Sequence, residues 1–159
     1  MRIAFIGGGN MADAILTGLI KSKILTPNDV TVSDASEDRL QFISQKHKVQ
    51  TTLHNTEAIV GCDVVFVAVK PQIVPQLCTE LKGVLQSEQT IASIAAGVTT
   101  DAYMARLSHN RIIRIMPNTP ALVGRSMSVW TSTETVPESI IAWMRTSLQA
   151  IGSEIYVSS

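Results

Sequence analysis

The chain has 159 residues, enough for one domain with a real hydrophobic core. Apolar residues make up 45% and charged residues 16%, a globular composition, and thirteen basic residues balance thirteen acidic ones, so no overall field draws nucleic acid or an anionic membrane. No apolar run is long enough to cross a bilayer, and the N-terminus enters a strand-like segment directly, without the charged and apolar stretches of a signal peptide. The expectation is a cytoplasmic chain with small-molecule partners.

In chain order, residues 2–6 form a short apolar run that ends in Gly7-Gly8-Gly9, a strand entering a tight turn. A helix follows: Met11, Ala12, Ile15, Leu16, Leu19 and Ile20 share one face, while Asp13, Thr17 and Lys21 recur every fourth residue on the other. Thr26-Pro27-Asn28 is a turn, and residues 30–33 read as a second strand. Residues 37–46 read as a helix capped by Asp34 or Ser36, and 49–51 as a short third strand.

Residues 64–69 are apolar at every position and rich in β-branched side chains, which predicts a strand buried on both faces of a parallel sheet. Pro71 ends it. Ile73, Leu77, Leu81 and Leu85 then mark an amphipathic helix, with Pro75 tolerated in its first turn. Further strands are predicted at 90–94 and 111–116, with the small-residue turn Ala95-Ala96-Gly97 and a helix over 99–107 between them. Residues 127–131 suggest an added strand at the sheet edge. Thr135-Val136-Pro137-Glu138 has the pattern of a capping box opening a helix that runs to about residue 150, and 154–157 would be a last strand. Strand and helix alternate throughout, predicting a Rossmann-type doubly wound α/β domain: a mostly parallel sheet with helices on both faces.

Gly7-Gly8-Gly9-Asn10-Met11-Ala12 fits G-x-G-x-x-A between the first strand and the first helix. Gly7 allows the turn, Gly9 lets the backbone approach a pyrophosphate, and Ala12 lets the helix lie close to the strand. The exposed amides of the helix start then offer donors to phosphate. Asp34 stands at the end of the second strand. It either accepts from the ribose hydroxyls of NAD or caps the next helix, while Ser33, Ser36 and Arg39 are an alternative set for the 2′-phosphate of NADP. Ala68-Val69-Lys70-Pro71 and Ala95-Ala96-Gly97 follow two central strands, where open α/β sheets bind ligands, and their small residues leave room for a nicotinamide ring. Lys70 is a surface lysine or a weak catalytic candidate. Asn118 and Thr119, in the loop Pro117-Asn118-Thr119-Pro120, are a rigid turn or the nicotinamide end of the cleft. Cys62 and Cys78 lack metal-ligand spacing and fall in predicted core, so free buried thiols and no metal site are expected. His47, His54 and His109 lie among polar neighbours and are read as surface residues, Trp130 and Trp143 as packed, and the six methionines as core filler.

Taken together, Phe5-Ile6-Gly7-Gly8-Gly9-Asn10-Met11-Ala12, Ala68-Val69-Lys70-Pro71, Ser93-Ile94-Ala95-Ala96-Gly97-Val98 and Arg114-Ile115-Met116-Pro117-Asn118-Thr119-Pro120 resemble the N-terminal domain of Δ1-pyrroline-5-carboxylate reductases. The resemblance implies cofactor contacts at Ile6, Gly7, Gly8, Gly9, Asn10 and Met11, at position 34, at Asn55, at Ala68 through Pro71, and at Ala95, Ala96 and Gly97. Without it, Asn55 reads as a loop residue capping a short helix. It also implies hydride transfer from NADPH or NADH to the C=N bond of pyrroline-5-carboxylate, giving proline. Family members often prefer NADPH, whereas Asp34 favours NADH. The helical second domain, which forms the dimer and completes the substrate pocket, is expected to be missing, so that residues 1–159 constitute the dinucleotide-binding part and homo-oligomers form only with that domain. Two alternatives stand beside this reading: a related reductase or dehydrogenase of small hydroxy or keto acids, and a non-catalytic nucleotide-binding module.

Overall fold

The computed structural model describes residues 1–117 and 126–158. Eight strands form one sheet: β1 (Ile3–Ile6), β2 (Val30–Ser33), β3 (Gln50–Thr52), β4 (Val64–Val67), β5 (Thr90–Ser93), β6 (Ile112–Met116), β7 (Ser126–Ser132) and β8 (Gly152–Tyr156). Their spatial order is β3-β2-β1-β4-β5-β6-β7-β8. The first six are parallel; β7 runs antiparallel to β6, and β8 runs parallel to β7. Chain order reverses at β1, where one neighbour is β2 and the other β4. That reversal opens a crevice above the carboxyl ends of the strands.

Among the described residues, six α-helices connect the strands: α1 (Asn10–Lys21), α2 (Glu37–His47), α3 (Asn55–Ala58), α4 (Val74–Leu81), α5 (Thr100–Leu107) and α6 (Glu138–Ala150). Burial on both faces explains why the central strands are apolar at every position: β1 and β4 are buried throughout. Phe5 and Phe66, register partners on those strands, stack with ring centroids 4.6 Å apart under α1, α2 and α6. Ala4, Ile6, Val65 and Val67 point the other way, into a second core with α3, α4 and α5. Truncating Phe5 or Phe66 to Ala would cost about 3–5 kcal/mol through lost burial and the cavity left behind.

Several sequence expectations need correction. The added strand β7 is not at the edge, because β8 pairs with its outer side. The predicted capping box does not form: α6 starts after Pro137, and the Thr135 hydroxyl instead donates to the Asn110 carbonyl at 2.5 Å. Ser36, not Asp34, caps α2, accepting from the Arg39 amide. The helix expected from Ile73 to Leu85 is shorter, because Pro71–Ile73 is a separate 3-10 turn and Ile73 is exposed. His54 is exposed as read, but His47 and His109 are buried. His109 bonds the Gln89 carbonyl at 2.6 Å, and His47 bonds Asp13 at 2.6 Å. Asp13 is therefore not on a solvated face; with Lys46 3.0 Å away it joins α1 to α2. Of the methionines, Met144 is fully buried, whereas Met1, Met116 and Met127 are exposed. Trp130 is fully buried, Trp143 packs against Phe66, and both cysteines are free and buried.

Candidate functional site

The turn from β1 into α1 lies at the reversal point. Gly7 has φ +101°, a left-handed conformation, and a Cβ there would come within 2.5 Å of the Ala68 carbonyl oxygen. The end of β4 thus packs directly on the turn, and the Gly7 amide donates to the Ser33 carbonyl at 2.8 Å, tying in the end of β2. Gly9 differs. It is the N-cap of α1, with no side-chain cap, and a Cβ there would meet nothing within 4 Å. The first bond within α1 runs from Asp13 to the Gly9 carbonyl, so the amides of Asn10, Met11 and Ala12 precede the helix's own ladder. Ala12 is fully buried against the sheet, as close helix–strand packing requires. An open approach, bare donors and the positive end of a helix dipole fit a diphosphate.

On the β2 side, Asp34 accepts from the Gly8 amide at 2.8 Å through one oxygen and from the Ser36 amide at 2.9 Å through the other. The Arg39 Nε donates to the Gly8 carbonyl, so the glycine turn is held at both of its polar groups. The Arg39 guanidinium lies 4.6 Å from the centre of the Phe42 ring. Buried Ser33 donates to the Asn55 side-chain carbonyl at 2.7 Å, and the Asn55 amide donates to Glu80 on α4 at 3.3 Å. Asn55 opens α3, and these two bonds fix which way its amide faces.

On the far side of the crevice, Ala68 and Val69 follow β4, half-buried, and lead to Lys70, whose side chain is exposed. Its carbonyl accepts from Ile73, closing the 3-10 turn that Pro71 opens. Beyond β5, the buried Ala95 amide donates to Ser93 Oγ at 3.2 Å, and that hydroxyl shares a 2.5 Å hydrogen bond with Tyr103. Burial chiefly pushes the Tyr103 phenol up to about 12, so it stays neutral. Gly97 has φ +75° and open space where a Cβ would lie. Ile6 ends β1 beneath the turn. The structure therefore gathers Ile6 to Ala12, Asp34, Asn55, Ala68 to Pro71 and Ala95 to Gly97 along the strand ends. Asn118 and Thr119 lie outside the described residues.

Sequence reading missed Glu80 and Tyr103. A tyrosine on the buried stripe of an amphipathic helix needs a hydroxyl partner, which was a usable signal for Tyr103. Glu80 gave none. Among the described residues, no group of three potential metal ligands occurs, and no helix is long and apolar enough to cross a membrane.

A parallel core in this order, with a glycine turn between its first strand and helix, defines a Rossmann-type α/β domain. Residues 2–97 match the family described as NADP oxidoreductase coenzyme F420-dependent, and the chain belongs to that family. It is 37% identical to the pyrroline-5-carboxylate reductase of Haemophilus influenzae over 157 residues, covering 98% of this chain and 57% of the relative. It is 40% identical to that of Escherichia coli over 128 residues, covering 80% of this chain and 48% of the relative. A solved pyrroline-5-carboxylate reductase from Coxiella burnetii superposes with TM-score 0.94 at 38% identity, over 99% of this chain and 59% of that one. A Plasmodium falciparum pyrroline carboxylate reductase solved with NADP bound shares the fold at TM-score 0.86 and 23% identity, over 99% of this chain and 57% of that one. The chain thus spans under three-fifths of the length of these relatives.

Proposed function

We propose that these residues are the nicotinamide-dinucleotide-binding domain of a pyrroline-5-carboxylate reductase, which reduces the C=N bond of 1-pyrroline-5-carboxylate to give L-proline. The observation that carries the reading is the open approach at Gly9, beside three amides that precede the helix ladder. Asn10, Met11 and Ala12 would donate to the diphosphate from the backbone, with Gly7 and Gly8 shaping the turn. Asp34 and Asn55 would face the adenosine end; Ala68 to Pro71 and Ala95 to Gly97 would border the nicotinamide. When bound, the dihydronicotinamide supplies the hydride for the imine carbon.

This chain's residues hold and orient rather than transfer protons. Tyr103 and Ser93 fix the Ala95 amide, Pro71 fixes the turn that carries Lys70, and no general acid is assigned. The Asp34 carboxylate, aligned on Gly8, opposes a 2′-phosphate, so the domain prefers NADH over NADPH. A further helical part of the protein would complete the substrate pocket and form the homo-oligomer. The 159 residues alone therefore bind cofactor but turn over substrate far below the about 10 s⁻¹ of an ordinary enzyme. Fluorescence titration with NADH and NADPH, followed by a turnover assay with pyrroline-5-carboxylate, tests both parts. A folded sample that binds neither cofactor overturns the reading, and an ordinary rate from this chain removes the need for a second part.

A further inference from the structure

Three side chains form a line from the end of β2 to α4. Ser33, the last residue of β2, is fully buried. Its carbonyl accepts from the Gly7 amide at 2.8 Å, and its hydroxyl donates to the Asn55 side-chain oxygen at 2.7 Å. Asn55 then donates from Nδ2 to Glu80 at 3.3 Å. Glu80 is exposed on α4, and among the described residues its hydrogen-bond partner is Asn55. Glu57, nearer to Asn55 in sequence, is taken by the Thr52 hydroxyl at 2.7 Å.

Ser33 and Asn55 by themselves could bond in either sense, because a hydroxyl and a carboxamide each donate and accept. A carboxylate only accepts. Glu80 therefore draws the nitrogen of Asn55 toward α4, which leaves Oδ1 to Ser33 and sets the direction of the whole line. Nδ2 carries two hydrogens, and the bond to Glu80 uses one of them. Among the described residues the second has no protein partner, and Asn55 is half-buried, so that hydrogen is open to an acceptor on a ligand.

We propose that Glu80 is a positioning residue for the dinucleotide: through Asn55 it presents a fixed N–H to an oxygen of the adenosine ribose. The proposal rests on the reading of the crevice as a dinucleotide site in which Asn55 faces the adenosine end. Without Glu80 the Asn55 amide can turn over, and Ser33 can follow by rotating its hydroxyl. The flipped amide sets Oδ1 against the ribose oxygen, acceptor against acceptor. Holding the amide one way before the ligand arrives removes that ordering cost from binding.

The test titrates NADH and ADP-ribose, which lacks the nicotinamide, into the parent chain, Glu80→Ala, Glu80→Gln, Asn55→Ala and the double variant. Glu80→Ala should melt within about 2 °C of the parent, because the side chain is exposed. It should weaken both ligands by about fivefold. Glu80→Gln, whose side-chain oxygen still accepts, should stay within about twofold of the parent. With Asn55→Ala already in place, Glu80→Ala should change nothing further, since the group it acts through is gone. The two Asn55 Nδ2 protons of ¹⁵N-labelled protein give an independent readout: Glu80→Ala should move one, and ADP-ribose should chiefly move the other. Affinity indifferent to Glu80→Ala, equal losses in Glu80→Gln and Glu80→Ala, a loss that persists without Asn55, or a loss confined to NADH would each overturn the proposal and leave the dinucleotide site standing. So would Nδ2 protons indifferent to ADP-ribose, or a Glu80→Ala melt far below the parent. A folded parent that binds neither ligand would overturn the proposal together with the reading it rests on.

Discussion

Gly7 and Gly9 sit two residues apart and should fail in opposite ways when given a side chain. At Gly9 the backbone is extended, with φ −76° and ψ −167°, which any residue adopts, and a Cβ meets nothing within 4 Å. Gly9→Val should therefore fold, losing only about 1 kcal/mol for a poorer N-cap, or roughly 2–4 °C in melting temperature. Its isopropyl group would nevertheless fill the approach to the helix-start amides. Losing two charge-assisted hydrogen bonds at about 1.5 kcal/mol each weakens NADH binding by about 3 kcal/mol, on the order of a hundredfold. Gly7→Ala meets the opposite constraint. A left-handed φ and a 2.5 Å approach to the Ala68 carbonyl should cost about 3 kcal/mol or more of folding stability, since β4 backbone cannot move aside cheaply. Thermal melts and NADH titrations on the two variants separate the effects. A stable Gly9→Val that still binds NADH at wild-type affinity would refute the reasoning, as would a Gly7→Ala as stable as the parent.

Asp34→Ser should raise affinity for NADPH relative to NADH by about tenfold, by removing a negative charge from the adenosine end; competition titrations read this, and an unchanged ratio removes Asp34 from cofactor choice. Burial would raise the Asp13 carboxyl, but hydrogen bonds and charge from His47 and Lys46 outweigh it and hold the group below its ordinary 3.8. A depressed folded value gives stability that is present above 3.8 and is lost as pH falls through the folded value. Asp13→Asn should therefore melt well below the parent at pH 7, with the gap closing below about pH 4; a gap independent of pH would contradict the assignment. Burial, aided by the negative Asp63, pushes the Cys62 thiol up to about 12, and burial raises Cys78 as well. Both should resist a thiol reagent at pH 8 in the native chain and react promptly in urea; rapid labelling of the folded protein would show that the core opens.

Much of the fold was legible because its signals are local. The unbroken apolar run over residues 64–69 predicts a strand buried on two sides; Val64–Val67 forms it, while Ala68 and Val69 leave the strand and are only half-buried. Ala12, three residues beyond the last of the glycines, read correctly as a packing residue. The misreadings share a different cause: they depend on partners far away in sequence. His47 looked like a surface residue because its local neighbours are polar, yet its partner Asp13 lies on another helix. Thr135 has the spacing of a helix cap, but the Asn110 carbonyl, just before the start of β6, accepts from its hydroxyl instead. At the site, the glycine turn was visible as a motif, whereas the bond from Gly8 to Asp34 became visible only once β1 and β2 lay side by side. The Ser33–Asn55–Glu80 chain likewise needs three elements folded together before it exists.

The central claim is that the start of α1 holds a dinucleotide's diphosphate on backbone amides. Titrating NADH into ¹⁵N-labelled protein and following amide shifts tests it most directly. The largest changes should fall on Gly9, Asn10, Met11 and Ala12, with smaller ones reaching Asn55 and Ala95. Shifts centred on another part of the sheet, or none in a folded sample at millimolar NADH, would contradict it.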